Sequence, residues 1–448
     1  MVNRQTPAIP PFPRGWTKRV TARLNNAGQA VGHGYRLFGL VRLSSILPLS
    51  PLFAIRRVKK KKFTTIDLFA GAGGLTEGFK QAGFNAIAAN DFDEHASLTF
   101  KANHPKTSFV DGPVQDISSD DLLSLADLER GELDVLLGGP PCQAFSVYNH
   151  QRGMHDERSG LFREYLRLVA GLMPRFVVME NVTGITSVAS GRAVDEIYKC
   201  LGELGYHVEH RILKAEEFGV PQERRRIFFI GNRDGSQICW PRCTHGEPDL
   251  LSRRQMKPLV NVEQAIGDLP PLRIDEGKEE SEYHCDPRCP FQKAMRSRSR
   301  KLFNHVAPHL SAINLERLKH IPQGGSWRDI PYELLPTGMK RAKRSDHTKR
   351  YGRLDPNGLS STVLTKCDLH WGAYIHYDLE QQRTLTVREA ARFQSFPDRY
   401  RFVGARGEQF RQVGNAVPPV LAKAVAKAVK NMLQQTDLVN DREGELVH

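Results

Sequence analysis

Cys142 stands apart from the other six cysteines of this 448-residue chain. It sits in Gly138-Gly139-Pro140-Pro141-Cys142-Gln143-Ala144-Phe145-Ser146, directly after the apolar run Asp134–Gly138. A proline-braced loop at a buried strand's end holds a thiol in place, where it serves as a nucleophile or stays inert. Glu180-Asn181-Val182 also follows an apolar run. A carboxyl there acts as an acid, a hydrogen-bond partner or a structural group. In Gln222-Glu223-Arg224-Arg225-Arg226, leading into Ile227–Ile230, alternation turns Arg226 or Arg224 toward the site of Cys142 and Glu180. The fourth signal is Phe69-Ala70-Gly71-Ala72-Gly73-Gly74. Glycines between a strand and a helix let backbone approach a ligand. Asp91, about 20 residues on, suits a ribose hydroxyl. Turn and acid alone fit any nucleoside cofactor, nicotinamide dinucleotides included.

The elements needed to position these residues are legible. Phe63–Phe69 reads as a strand, followed by a helix with Leu75, Phe79 and Ala82 on one face. Strand Asn85–Ala89 and helix Glu94–Asn103 come next. The alternation continues with strand Asp134–Gly138, helix Gly160–Leu172, strand Phe176–Glu180 and helix Val194–Leu204. Val208–Leu213 and Arg226–Gly231 are further strands. The pattern is an α/β fold, a doubly wound and mostly parallel sheet. From Cys239 to Gln382 the rhythm fails, which suggests a smaller irregular domain. Val387–Ser395 reads as a short helix and Pro418–Gln434 as an amphipathic one. The expected organisation is a basic, disordered extension (1–62), a catalytic and cofactor-binding domain (63–238), the irregular domain (239–382), a return to the first (383–435) and a tail (436–448).

Composition narrows the class. Hydrophobic residues make up 40% and charged residues 25%, which excludes a wholly disordered or collagen-like chain. No uncharged apolar run reaches the roughly 18 residues that span a bilayer. Net charge is +14. Residues 1–62 hold 13 Lys/Arg and no acid; residues 288–366 hold 17 basic and 5 acidic residues. The second excess suits a polyanion such as nucleic acid. Seven sparse cysteines suggest a reducing compartment. Cys239, Cys243, Cys285 and Cys289 have a spacing that zinc accepts, but two pairs of free thiols is the favoured reading, with no metal expected.

The order of these segments carries the assignment. Asp67–Gly74, Asn90–Asp93, Gly139–Ser146, Met179–Gly184, Gly219–Gly231, Arg388–Asp398 and Gln412–Pro419 resemble the motifs of the C5-cytosine DNA methyltransferases, over residues 63–435. The resemblance implies the S-adenosylmethionine-dependent methyltransferase fold and S-adenosyl-L-methionine as cofactor. Phe69, Gly71, Gly73, Gly74 and Pro140 would line it, Asp91 would bind the ribose in place of the more usual Glu, and Phe92 would lie by the adenine. Asp116 and Ile117 match a looser adenine-binding segment. Asn415 and Val417 would close the pocket from the C-terminus.

The same resemblance implies roles for the reacting groups. The Cys142 thiolate would attack carbon 6 of cytosine and so activate carbon 5. Glu180 would hold ring nitrogen 3 and the amino group. Arg226 would contact the base carbonyl, and Arg224 would steady the nucleophile loop and a phosphate. The base must leave the duplex, and the loop Ser146–Ser159 would close over it. Residues 239–382 would recognise the target. The expected protein is a monomeric bacterial enzyme of the cytoplasm, nucleoid-associated when bound to double-stranded DNA, and the modification half of a restriction-modification system with a cognate endonuclease as non-stable partner. A tRNA cytosine-5 methyltransferase is the alternative. An oxidoreductase has no use for Pro-Cys-Gln beside Glu-Asn-Val, and a catalytically dead DNA binder would lack one of these groups.

Overall fold

The computed structural model describes residues 62–141, 160–187, 191–247 and 256–446. Cys142, the loop Ser146–Ser159 and nearly all of the N-terminal extension lie outside the described residues. Residues 60–448 cluster as one unit.

β1 (Thr64–Leu68) is a β-branched, fully buried run. It lies mid-sheet between β2 (Asn85–Asp91) and β4 (Val135–Gly138), parallel to both. β3 (Ser108–Asp111) extends one edge, parallel to β2. β5 (Phe176–Val182) pairs parallel with β4. Beyond it lie β7 (Arg225–Asn232), antiparallel to β5, and β6 (His207–Lys214), antiparallel to β7. The order is β3-β2-β1-β4-β5-β7-β6. The chain starts in the middle, runs to one edge, and returns to build the other half. The switch lies between β1 and β4, where connecting chains diverge and leave a crevice at the strands' carboxyl ends. The glycine turn leaves β1 there, and Gly139-Pro140 leaves β4.

Alternation along the strands divides the core. One face packs Ile66, Leu68 and Leu136 against Leu122 of α3 (Ser119–Ala126), Tyr165 and Leu168 of α4 (Gly160–Leu172), and Ile197 and Leu201 of α5 (Arg192–Glu203). The other packs Val135, Leu137, Phe228 and Ile230 against Leu75 and Phe79 of α1 (Gly74–Gln81), and against Leu421, Val425 and Val429 of the C-terminal helix. α2 (Glu94–Asn103) begins on Asp93, whose side chain caps the amide of Ala96 at 3.0 Å.

The region after Gly246 is built from short pieces. These include α6 (Val262–Ile266), the antiparallel pair of β8 (Gly277–Ser281) and β9 (Leu302–Val306), with α7 (Pro290–Met295) between them in sequence, and α8 (Ala312–Lys319). α9 (Val387–Phe393) and α10 (Arg406–Asn415) precede α11 (Pro419–Leu446). The helix expected over Pro418–Gln434 runs on to Leu446, into the expected tail. β3, α3 and α10 were not foreseen, because each is short or lacks a strong apolar stripe.

Candidate active site

Glu180 leaves β5 beside the start of the nucleophile loop. A Cβ placed on Gly139 would lie 3.6 Å from Glu180 Oε2. In the β5–β7 register Arg226 stands opposite Val182, two residues from Glu180 on the same face. Arg226 Nε pairs with Glu180 Oε1 at 2.9 Å, with both side chains largely buried. Burial pushes the Glu180 carboxyl above its usual range, against the opposing charges of Arg226 and Arg224. Burial likewise holds the Arg226 guanidinium below its usual value, against Glu180. The pair is a buried carboxyl, with its acid form favoured relative to a free Glu, beside a guanidinium that opposes that rise.

The other arginine occupies a different place. Arg224 is only 1% exposed. Its Nη1 donates to the Val363 carbonyl at 3.1 Å, and its Nη2 to the carbonyls of Gly414 (2.9 Å) and Ala416 (3.0 Å). Among the described residues its two terminal nitrogens tie these carbonyls together; the expected contacts to the nucleophile loop and a phosphate involve groups outside the described residues.

Asn181, noticed in the sequence only as part of a motif, fixes the entry to the nucleophile loop. Its Nδ2 donates to the Pro140 carbonyl at 2.9 Å, and its Oδ1 accepts from the Val182 amide. Pro140 is buried.

The glycine turn is held from beneath. Gly71 and Gly73 have φ of +54° and +86°, a region that disfavours side chains. Phe69 also has a positive φ (+57°), a local strain of the kind that collects at ligand sites. Space around Gly71 is open: nothing lies within 4 Å of a Cβ placed there. The Gly71 amide donates to Asp91 Oδ2 at 2.7 Å, and the Asp93 amide to Oδ1 at 2.9 Å. Burial raises the Asp91 carboxyl above its usual range, and these amides oppose the rise. Phe92 beside it is 71% exposed. Asp116 ends a helical turn, Val114–Asp116, and is exposed, whereas Ile117 turns its side chain into the core.

The C-terminus packs on this turn. The Val417 carbonyl would lie 2.3 Å from a Cβ on Gly74, so only glycine permits the contact. Asn415 is exposed at the same corner. Three further residues support the turn without having been singled out. His104 Nε2 meets the Tyr400 hydroxyl at 2.9 Å, and Lys80 Nζ meets its Nδ1 at 2.8 Å. The Tyr400 hydroxyl donates to the Ala72 carbonyl. The sequence shows no pattern for them: Tyr400 lies about 300 residues from His104 and Ala72, and the Lys80–His104 contact, 24 residues apart, follows no helical or strand period.

The two cysteine pairs find different neighbours. Cys243 Sγ donates to Glu217, Cys285 Sγ to the Asp268 carbonyl and Cys289 Sγ to the Gln264 carbonyl. Among the described residues no three His, Cys, Asp or Glu side chains form a group that could hold a metal. No helix among them is long and apolar enough to cross a membrane.

The switch-point crevice carries a glycine turn after β1 and, across β4, the buried Glu180–Arg226 pair of β5 and β7, an arrangement that fits the S-adenosylmethionine-dependent methyltransferase fold. Comparison with known proteins narrows this. The sequence signature described as C-5 cytosine-specific DNA methylase matches residues 63–431. The chain is 33% identical to the Type II methyltransferase M.AgeI of Thalassovita gelatinovora, over 82% of this chain and 99% of that protein. It is 36% identical to the Type II methyltransferase M1.HphI of Haemophilus parahaemolyticus, over 82% and 87%. A crystal structure described as a DNA modification methyltransferase encoded within a prophage (E. coli) superposes with a TM-score of 0.65. It is 26% identical, covering 83% of this chain and all of that one. A crystal structure of the S. pombe Dnmt2 methyltransferase shares the fold at a TM-score of 0.51 and 15% identity. The chain belongs to the C-5 cytosine-specific DNA methylase family. It is a DNA (cytosine-5-)-methyltransferase, and its family and fold imply a methyl donor of the S-adenosylmethionine type and a double-stranded DNA substrate.

Proposed function

We propose that this enzyme methylates carbon 5 of cytosine within a short sequence of duplex DNA, through a covalent bond from Cys142 to carbon 6 of a base swung out of the helix. The observation that carries the reading is the buried Glu180–Arg226 pair at 2.9 Å, beside the Gly139-Pro140 lead to Cys142.

S-adenosyl-L-methionine supplies an electrophilic methyl group when bound. The glycine turn fits such a group: Gly71 leaves room for it, Phe92 offers an exposed ring and Asp91 a carboxylate. Each Asp91 oxygen accepts one amide and keeps a lone pair for a ribose hydroxyl. Phe69, Gly73, Gly74, Asp116, Ile117, Pro140, Asn415 and Val417 would complete the surround. Asp116 would do so by its exposed carboxyl, and Ile117 by its backbone.

The chain's own residues do the rest. Asn181 anchors the Pro140 carbonyl, which sets the direction from which the Cys142 thiolate approaches carbon 6. Glu180, kept protonated to higher pH by burial, donates a hydrogen bond to ring nitrogen 3 and stabilises the charge that builds there. Arg226 orients Glu180 and reaches the base carbonyl. Attack at carbon 6 pushes an electron pair to carbon 5, which would take the methyl group as the donor's carbon–sulfur bond breaks and leaves its pair on sulfur; water then takes the carbon 5 proton, and the pair left behind re-forms the ring double bond and expels Cys142 as thiolate. Extracting the base costs roughly a few kcal/mol. The basic region within 239–382 would supply phosphate and base contacts.

The names of M.AgeI and M1.HphI as Type II methyltransferases support a place in a restriction-modification pair. The test is transfer of labelled methyl groups to duplex DNA by the wild-type protein and Cys142→Ser, with bisulfite sequencing of the product. Carbon 5 methylation at one short sequence, absent from the variant, is expected. Transfer to tRNA and not to duplex DNA would overturn the reading.

A further inference from the structure

Trp371 is 51% exposed, although the apolar residues around it, Leu369 and Tyr374, are buried. The Trp371 amide donates to the Asp368 carbonyl at 3.3 Å, and the segments on either side of it are hydrogen-bonded to residues 351–352. The Tyr351 amide donates to the Leu369 carbonyl at 2.7 Å, and the Ile375 amide to the Gly352 carbonyl at 3.0 Å. A Cβ on Gly372 would lie 2.8 Å from the Tyr374 ring, so the chain beside Trp371 packs against that ring at a distance only glycine permits. Lys366 Nζ and the Arg350 guanidinium each lie 6.0 Å from the indole centroid. Asp368, the one acid between Leu364 and Trp371, accepts the His370 amide at 2.8 Å.

This cluster hangs from the segments that carry the site. Cys367 Sγ donates to the Leu364 carbonyl, and that carbonyl would lie 2.4 Å from a Cβ on Gly414. Arg224 clamps the Val363 and Gly414 carbonyls together. Lys349 Nζ reaches Glu223, two residues before the first position of β7, at 3.9 Å. The segment that carries the indole is therefore tied through Val363 and Leu364 to Arg224, two residues from Arg226.

We propose that Trp371 is a stacking platform for a nucleobase of the substrate DNA, one left without its neighbour when the target cytosine leaves the helix, and that Lys366 and Arg350 hold the adjacent phosphates. An aromatic face with cations at its rim matches a base joined to its backbone charges. A merely solvated surface would not need a large ring flanked by two cations. The inference rests on the DNA-methylating reading of the site.

The probe is the duplex that bisulfite sequencing shows to be methylated, or sheared plasmid DNA where none is. Stacking quenches indole fluorescence. The DNA-induced quench is expected in the wild type and lost in Trp371→Phe, which leaves the other three tryptophans in place. Trp371→Ala is expected to weaken DNA binding roughly tenfold to a hundredfold, with unchanged affinity for S-adenosylmethionine. Lys366→Ala and Arg350→Ala should each lower the salt dependence of binding by about one ion, whereas Trp371→Ala should not. Heparin, a polyanion without bases, should bind without the quench. An equal quench by heparin, or the same DNA quench in Trp371→Phe, overturns the proposal. Wild-type protein that quenches on DNA but transfers no methyl group would sink the catalytic reading and leave the platform standing. Methyl transfer with no Trp371 quench would do the reverse.

Discussion

The neighbours of Glu180 divide the labour of the site. Arg226 lies on the same sheet face and pairs with it, so this cation both orients the carboxyl and limits the rise that burial imposes. Glu180→Gln keeps the shape and cannot release a proton. Its kcat should fall about 10²–10⁴-fold with cofactor affinity unchanged, as single-turnover and titration measurements would show. Arg226→Ala removes the charge that opposes burial, so the Glu180 titration should move up in pH. The alkaline limb of the rate profile, set by Glu180 losing its proton, should then shift upward; a limb that stayed in place or moved down would refute the assigned coupling. Arg224 differs in kind, because its guanidinium joins three carbonyls from two distant segments. Substituting it should cost stability as well as rate.

At the scale of elements, α9 is held by ionic contacts. Its first turn is a capping box, Thr386 with Glu389, and Glu389 also pairs with the fully buried Arg383 at 2.7 Å. Arg392 on the same helix binds Asp398 and Asp268, joining the helix to the segment after α6. Glu389→Ala would strand Arg383 and should cost about 3–5 kcal/mol in chemical denaturation. Acid should weaken the same region. His305 and His376 pack near Glu389, and burial lowers their imidazoles to about 4 and about 3. Burial lowers His104, beneath the glycine turn, to about 3 as well. The folded state refuses protons that the unfolded chain accepts from about pH 6.5 downward. Arg383 pulls Glu389 far below the carboxylate range, which adds a loss below about pH 4.5. Burial raises the Asp67 carboxyl to about 7, which offsets part of this loss as pH falls; the three imidazoles outweigh it, so the thermal midpoint should fall from pH 6.5 to 4, and an unchanged midpoint at pH 5 would contradict this.

At the scale of the whole molecule, the last helix completes the first one's core. A Cβ on Gly78 of α1 would lie 2.3 Å from the Ala422 side chain of α11, so the two helices touch backbone to backbone. Leu421, Val425 and Val429 cover Leu75, Phe79, Phe228 and Ile230. Truncation after Asn415 would uncover that face of the sheet. The product should be insoluble or melt without a cooperative transition, and it should not bind S-adenosylmethionine. A soluble, cooperatively folding truncation would show that the sheet stands without α11.

What the sequence determined by itself is local. Strand and helix periods marked nearly all the sheet, and motifs at strand ends marked the glycine turn, Glu180 and the arginines, because those signals lie within a few residues of each other. Ranges such as Glu94–Asn103 and Gly160–Leu172 were legible to the residue. Tertiary structure alone decided the rest. β7 inserts between β5 and β6, which places Arg226 on Glu180 and sends Arg224 to carbonyls contributed by Val363, Gly414 and Ala416. The Tyr400–His104 support of the glycine turn and the Arg350 and Lys366 side chains beside Trp371 also join residues distant in sequence or weak in pattern. Such contacts have no period for a sequence to display, since a buried polar group chooses its partner by geometry once the sheet and its covering helices have closed.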